Sequence, residues 1–217
     1  MKTSKAFTLL CATLMLENML SMNIATAASD APGYPESIYA YDSREVAMLP
    51  PYCKYTSLFS AHVSDKDPTE GRRWRDSLGP TFKAMHHYCW GLMHTNRALL
   101  LTRTQRIKSF HLSRSIDEFD YVLRHATEDF ILLPEILTKK GENLIRLGKG
   151  AVAVIGLERA IQLKADYWPA YAALSDHYKS SGDLAKARAL LEKALSFAPE
   201  TTALKRRLVA LDNVRAK

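Results

Sequence analysis

Apolar positions in the second half of the chain repeat with a period of 34 residues. Leu157 recurs as Leu191, and Gly148 recurs as Gly182. On both sides of each glycine, apolar residues are spaced three and four apart, which is the spacing of one helix face. Glycine commonly ends a helix because it adopts the left-handed backbone conformation without steric cost. The pattern therefore predicts a series of antiparallel helix pairs.

The last copy carries aromatic, leucine, small and proline residues at defined spacings. These are Tyr171, Leu174, Ser175, Tyr178, Ala187, Leu191 and Pro199. Their spacing resembles the tetratricopeptide repeat (TPR), and the resemblance covers residues 134–201. It implies an all-α fold, a TPR-like helix-hairpin solenoid, with repeats at 134–167 and 168–201. Residues 202–217 are then predicted to form a capping helix with a polar outer face.

A more divergent hairpin is predicted over residues 81–133, which makes about three repeats in all. Its second helix is predicted at Leu112–Ala126, because Phe119 lies 34 residues before Ala153 in the next unit. The connection Thr102–His111 is predicted to be a long, basic surface turn, and such insertions often carry function.

Residues 1–27 are predicted to be a secretory signal peptide. Lys2 and Lys5 precede the apolar run Ala6–Leu16, and small residues at Ala25–Ala27 form a cleavage site. The protein is therefore expected to be periplasmic or secreted. Because Glu17 interrupts the apolar stretch, an uncleaved N-terminal anchor is the alternative.

Residues 28–80 do not follow the repeat and are predicted to form an irregular N-terminal extension. Cys53 and Cys89 are the two cysteines that remain after cleavage, and export favours a disulfide between them. Two buried free thiols are the alternative. Pro50–Tyr55 is expected to be extended, and a short basic helix is predicted to start near Gly71.

Two segments extend the resemblance to one group of TPR proteins. LPPYCKY (49–55) and HHYCWGLM (86–93) are similar to segments of secreted proteobacterial TPR proteins to which no activity is assigned. This similarity suggests that the chain belongs to the same group of proteins, and it implies no function.

The charge balance is basic, with 30 Lys and Arg against 23 Asp and Glu. Without residues 1–27 the chain keeps 28 basic and 22 acidic residues, a net charge of +6. No nucleic-acid-binding motif is present, so no nucleic-acid partner is expected. For an exported protein, solubility is the simpler interpretation of this charge. The alternatives are peripheral contact with an anionic membrane, with envelope polymers or with acidic proteins.

The sequence contains no catalytic motif. It has no G-x-S-x-G, H-E-x-x-H, P-loop or G-x-G-x-x-G arrangement. The protein is therefore expected not to be an enzyme and to need no cofactor.

In TPR arrays the first helices of successive hairpins line a groove, and the resemblance implies which residues line it here. They are Tyr88, Asn96, Glu135, Thr138, Glu142, Arg146, Asp176 and Lys179. Their mixed polarity suits a segment of another protein. The predicted function is a non-enzymatic periplasmic scaffold that binds another envelope protein, in the assembly of an envelope complex. The sequence leaves the oligomeric state open.

A second hypothesis is a periplasmic metal-binding or cofactor-handling factor. It rests on His86, His87 and His94, which lie on one predicted helix and carry imidazole ligands suited to zinc or copper. One helix rarely supplies a full coordination shell, and these side chains divide over two faces. The expectation is therefore no metal, with these three histidines as the candidates.

Overall fold

The computed structural model describes residues 43–62 and 67–215, and in this part of the chain the regular secondary structure is entirely helical. The predicted signal peptide and the first part of the predicted extension lie outside the described residues. None of the described helices combines the length and the apolar character needed to cross a bilayer.

The α helices follow one another with short connections. They are α1 (Ser43–Ala47), α2 (Pro68–Leu78), α3 (Met85–Asn96), α4 (Gln105–His125), α5 (Leu133–Arg146), α6 (Gly150–Leu163), α7 (Trp168–Ser180), α8 (Leu184–Phe197) and α9 (Thr202–Arg215). Short 3-10 turns occupy Pro51–Tyr55, Phe59–His62 and Gly79–Ala84, and a π turn at Arg97–Leu101 continues α3.

The helices pack as three antiparallel hairpins followed by a single helix. Helix α3 packs on α4, α5 on α6 and α7 on α8, while α9 covers α8. The first helices of the last two hairpins, α5 and α7, also touch each other. This arrangement confirms the predicted all-α, TPR-like solenoid.

Glycines with positive φ end the first helices of the last two hairpins. Gly148 has φ 74° and Gly182 has φ 87°, values that other residues rarely adopt. After α5, the Lys149 amide donates to the Leu144 carbonyl at 2.8 Å and the Gly148 amide to the Ile145 carbonyl at 2.9 Å. This double hydrogen bond satisfies carbonyls that the helix end leaves without partners.

Small residues let the paired helices approach closely. Ala153, Leu157 and Ala160 of α6 are fully buried. A Cβ placed on Gly141 of α5 would lie 2.8 Å from the Leu157 side chain, so a larger residue at this position would overpack the hairpin. The contact explains why the repeat keeps a small residue there.

The first hairpin follows the same packing in a different register from the predicted one. On α4, Ser115, Phe119 and Val122 are fully buried, as are His111 and Leu112, whereas Leu123 is half-buried. A Cβ on Gly91 would lie 2.4 Å from the Phe119 ring, so Phe119 corresponds to Leu157. The predicted equivalence with Ala153 was wrong by one helical turn, because seven residues join α4 to α5 while four join α6 to α7.

The prediction of a long basic turn at Thr102–His111 was also wrong. Three residues, Thr102–Thr104, separate the π turn from α4, which begins at Gln105 and is 21 residues long. His111 is fully buried. His111 contacts His94 of α3. This contact explains why α4 begins earlier in the chain than predicted.

The described part of the N-terminal extension packs against α3. A disulfide joins Cys53 to Cys89, as predicted. Pro51–Tyr55 forms a 3-10 turn rather than the predicted extended strip, with the Cys53 amide donating to the Pro50 carbonyl at 2.9 Å. Aromatic packing adds to the bond, since the rings of Phe59 and Trp90 lie 5.1 Å apart.

The predicted basic helix of the extension is α2, and it begins before Gly71. Asp67 caps its first turn by accepting from the Thr69 amide at 2.8 Å. Pro68 follows at the first helical position, where its missing N–H costs nothing. Gly79, with φ 59°, ends the helix.

A buried ion pair is a second attachment of the extension. Arg97 Nε donates to Glu45 Oε1 at 2.5 Å, and Arg97 Nη2 donates to Glu45 Oε2 at 2.9 Å. The two side chains are 3% and 11% exposed. Helix α1 is therefore held to the base of the π turn by a two-point, charge-assisted contact.

Candidate functional site

Helices α3, α5 and α7 are the first helices of the three hairpins, and their outward side chains form one surface, the first-helix face. Tyr88 of α3 donates from its hydroxyl to Glu135 Oε1 of α5 at 2.5 Å. At the other end, Arg207 of α9 donates to Asp176 of α7 at 3.1 Å. These contacts join α3 to α5, and α7 to the capping helix α9.

Three tyrosines surround Glu135, and we call these four residues the Glu135 cluster. Tyr52 comes from the extension, Tyr88 from α3 and Tyr167 from the loop before α7. Burial raises the pKa of all three phenols above their usual range, and the negative charge of Glu135 raises each further. The phenols therefore stay neutral hydrogen-bond donors beside a carboxylate.

Glu135 is half-buried, and no ion pair joins it to a basic side chain among the described residues. Its known partner is the Tyr88 hydroxyl. A partly desolvated carboxylate with neutral partners retains most of its attraction for a cation. The Glu135 cluster is thus suited to receive a positively charged group.

Two residues of the predicted groove are not on the surface. Tyr88 is fully buried and Thr138 is 1% exposed. Tyr88 packs against Phe119 and its hydroxyl reaches Glu135, while the Thr138 hydroxyl donates to the Pro134 carbonyl at 2.7 Å. Neighbouring helices cover both positions, so their prediction as partner-contacting residues was wrong.

Asp176 is exposed but engaged by the capping helix. Arg207 of α9 donates to both of its carboxylate oxygens. The side chains are 36% and 47% exposed, so the pair is solvated. The predicted contact of Asp176 with a partner would compete with this ion pair.

The remaining predicted residues are accessible on the first-helix face. Glu142 lies 3.6 Å from Lys139 Nζ and 3.8 Å from Arg146 Nη1, which are pairs along one helix. Asn96 and Lys179 are half-buried. The ion pairs of Glu142 with Lys139 and Arg146 lie within one helix at the surface, and such pairs are weak. A partner's charged groups can therefore replace them.

A buried polar network holds the first hairpin to the second. Asn143 of α5 donates to Thr95 Oγ1 at 2.7 Å and to Ser115 Oγ at 2.9 Å. Ser115 in turn donates to the Gly91 carbonyl at 2.7 Å. Arg146 donates to Asn143 Oδ1 at 3.2 Å. The network fixes α5 relative to α3 and so fixes the position of the charges on the first-helix face.

The three histidines proposed as metal candidates do not converge. His86 Nδ1 lies 3.0 Å from the Lys83 carbonyl, and His87 Nδ1 lies 2.6 Å from Glu118 Oε2. His94 lies in the core, and the disulfide occupies Cys89. Among the described residues, no three His, Cys, Asp or Glu side chains are grouped closely enough to hold a metal ion.

His94 instead pairs with His111 inside the first hairpin. Their Nδ1 atoms lie 2.9 Å apart, and both side chains are fully buried. Burial, together with the positive charges of Arg97 and Arg114, lowers the pKa of His94 to about 4. Burial likewise lowers the pKa of His111 to about 4. The pair is therefore neutral near neutral pH.

This pair makes the fold sensitive to acid. Between about pH 7 and about pH 4.5 the unfolded histidines bind protons and the folded ones do not, so the free energy of unfolding falls as pH falls. Because the two imidazoles contact each other, they titrate as a pair, and the loss should reach on the order of a few kcal/mol for the pair as pH approaches the folded pKa values. Urea unfolding across this range measures it.

Two variants make this prediction specific. His94→Gln removes one buried titratable side chain, so the free energy of unfolding should depend less steeply on pH than in the parent protein. His125→Gln changes an exposed histidine and should leave the pH dependence as it is. An equal slope in the parent and in His94→Gln would contradict the assignment to the buried pair.

Sequence analysis missed three residues that organise the site. Tyr52 lies in a segment outside the repeat, Tyr167 precedes the motif positions, and Asn143 lies on the buried side of α5. The sequence carried a signal for Asn143 alone. An asparagine at a helical position that is predicted to be buried indicates a hydrogen-bonded network.

The chain is similar in structure to solved TPR domains, and no protein-family model and no curated protein matches it. The first TPR of Spaghetti (RPAP3) bound to the HSP90 peptide SRMEEVD is 20% identical, with 58% of this chain and 96% of that chain covered and a TM-score of 0.45. The NMR structure of the first TPR domain of the human RPAP3 protein is 19% identical, with 58% and 92% covered and a TM-score of 0.45.

Proposed function

We propose that this protein is a non-enzymatic scaffold of the cell envelope that binds a segment of another protein across the first-helix face. The observation that carries the proposal is the Glu135 cluster, in which a half-buried carboxylate faces neutral tyrosines and no basic side chain of the described residues pairs with it. Tyrosine and arginine are enriched at protein interfaces for this kind of contact.

The Glu135 cluster is complementary to a lysine or arginine of the partner. A carboxylate forms a strong, charge-assisted hydrogen bond with a cationic donor. The half-buried ring of Tyr167 can add cation–π attraction. A partner segment carrying one basic residue would therefore be anchored at α5.

The rest of the first-helix face can set the direction of that segment. Arg146 and Lys179 lie near the C-terminal ends of α5 and α7, and Lys139 lies at the middle of α5, with Glu142 between it and Arg146. Basic side chains there suit acidic residues or backbone carbonyls of the partner. Charge complementarity of this kind contributes more to specificity than to affinity.

The envelope location rests on the disulfide and on residues 1–27. The bond between Cys53 and Cys89 suits an oxidising compartment, and the sequence of residues 1–27 has the features of a secretory signal. A scaffold in this compartment would bring envelope proteins together. The alternative function in metal or cofactor handling receives no support from the described contacts of His86 and His87.

Site-specific photo-cross-linking tests the function and the location together. A photoreactive residue replaces Lys139 on the first-helix face in the full-length protein, and cells are fractionated after irradiation. A matched variant carries the same group at Glu158, an exposed residue of α6. We expect one dominant partner from position 139 in the envelope or periplasmic fraction, and none from position 158.

The affinity of that partner then tests the Glu135 cluster. Glu135→Gln keeps an oxygen for the Tyr88 hydroxyl but removes the charge, so binding should weaken by roughly tenfold to a hundredfold. Glu158→Gln is the control and should bind as the parent does. Equal affinity of Glu135→Gln and the parent, or cross-linking from position 158 alone, would contradict binding at the first-helix face. Protein found only in the cytoplasm would contradict the location.

A further inference from the structure

An unusual run of exposed leucines ends the first helix of the first hairpin. Leu99, Leu100 and Leu101 are 42%, 64% and 60% exposed, and Phe110 of α4 is 43% exposed. Burying side chains of this size stabilises a protein substantially, so the exposure of several together on a folded surface needs an explanation.

Basic side chains surround these leucines. Arg103 and Arg106 are exposed and Lys108 is half-buried. No ion pair joins any of the three to an acidic side chain of the described residues. The sequence has no Asp or Glu between positions 97 and 116. We call the four apolar and three basic residues together the leucine tip.

The backbone under the leucine tip is firmly held, so the exposure does not come from a frayed helix end. Ala98 is 1% exposed, and the adjoining Arg97 forms the buried ion pair with Glu45. The π turn also packs against α4. Arg106 and Phe110 are four residues apart on α4, which places them on the same side of that helix.

We propose that the leucine tip docks the protein on a membrane surface that contains anionic lipids. The leucines and Phe110 enter the boundary between headgroups and acyl chains, and Arg103, Arg106 and Lys108 bind lipid phosphates. Apolar side chains inserted beside basic ones are the usual composition of interfacial membrane anchors.

Charge favours this occupant over a second copy of the chain. Two leucine tips facing each other would bring two sets of uncompensated positive charges together, and like charges in contact oppose association. An anionic lipid surface removes this repulsion and covers the apolar side chains at the same time. The tip lies on the first hairpin away from Glu135, so the inference does not depend on the proposed partner site.

Vesicle flotation with the full-length protein tests the proposal. The vesicles are phosphatidylcholine alone, or phosphatidylcholine with about 30% phosphatidylglycerol. We expect binding to the anionic vesicles, weaker binding at high salt, and little binding to the neutral ones. Leu100→Glu/Leu101→Glu should weaken binding to the anionic vesicles at least tenfold.

Val152→Glu/Ile155→Glu is the matched control. It makes the same charge change at two apolar residues of α6 that are 55% and 72% exposed, and it should bind as the parent does. Arg103→Gln/Arg106→Gln keeps the leucines and should weaken binding by about fivefold for each arginine. Because all these positions are at the surface, unchanged thermal unfolding is expected to show that the variants fold.

Several outcomes would overturn the proposal. They are no binding to anionic vesicles at low salt, equal binding to both vesicle types, and equal loss of binding in the control variant. Concentration-dependent dimers that Leu100→Glu/Leu101→Glu disperses, without vesicle binding by the parent, would assign the tip to a second copy of the chain.

Discussion

Replacing Arg97 with methionine is expected to lower the free energy of unfolding by about 3 to 5 kcal/mol. The guanidinium donates two hydrogen bonds to Glu45, at 2.5 and 2.9 Å, and both side chains are nearly inaccessible. Methionine fills a similar space but leaves the Glu45 carboxylate buried without this cation. Urea unfolding of the full chain measures the loss.

Two further variants separate the ion pair from general packing. Glu45→Met/Arg97→Met removes both charges and should recover most of the lost stability, since well-packed apolar residues often replace a buried pair at little cost. Arg207→Met makes the same change in the exposed pair with Asp176 and should cost no more than about 1 kcal/mol. An Arg97→Met protein as stable as Arg207→Met would show that the buried pair contributes little.

Replacing Cys53 and Cys89 together with alanine is expected to lower stability by about 4 kcal/mol. The bond joins residues separated by 36 positions, and a closed loop of this size restricts the unfolded chain substantially. Because Cys53 and Cys89 are fully buried, alanine introduces no polar group. The measurement is the urea midpoint of the oxidised parent, the reduced parent and the double variant.

The position of the extension gives this prediction a local readout. Without the bond, the segment that carries Tyr52 is held to α3 mainly by aromatic packing and by the Glu45–Arg97 pair. Limited proteolysis should then cut before residue 80 while the hairpins from α5 onward stay protected. Identical urea midpoints for the oxidised and reduced parent would contradict a stabilising role for the disulfide.

The last two hairpins could be predicted from the sequence because their signals are local. Gly148 and Gly182 are required by the left-handed conformation at the ends of α5 and α7. The buried small residues and Leu157 follow the period of 34, which reports contacts between helices close together in the chain. The terminal helix α9 follows for the same reason, since one apolar face must cover α8.

The first hairpin could be predicted only in outline because its period is broken. The seven-residue connection before α5 shifts Phe119 relative to the later repeats. Alignment by a constant period of 34 residues therefore pairs Phe119 with Ala153, one helical turn away from its true equivalent, Leu157. The π turn and the early start of α4 depend on the burial of Arg97 and His111. The burial of these residues could not be expected from their type, because arginine is mostly exposed in proteins and histidine is buried only in some of its positions.

What the sequence determined by itself was the 34-residue repeat of the last two hairpins and the glycine ends of α5 and α7. It favoured a disulfide between Cys53 and Cys89 and left two free thiols as the alternative. What only the tertiary structure decided was which side chains of the first-helix face stay accessible. Tyr88 lies at a predicted surface position, yet contacts from α4 and α5 bury it. Tyr52 is far from Glu135 in the chain, yet the disulfide-linked extension brings it there. Helix periodicity specifies the direction of a side chain, whereas exposure depends on what other segments pack over it.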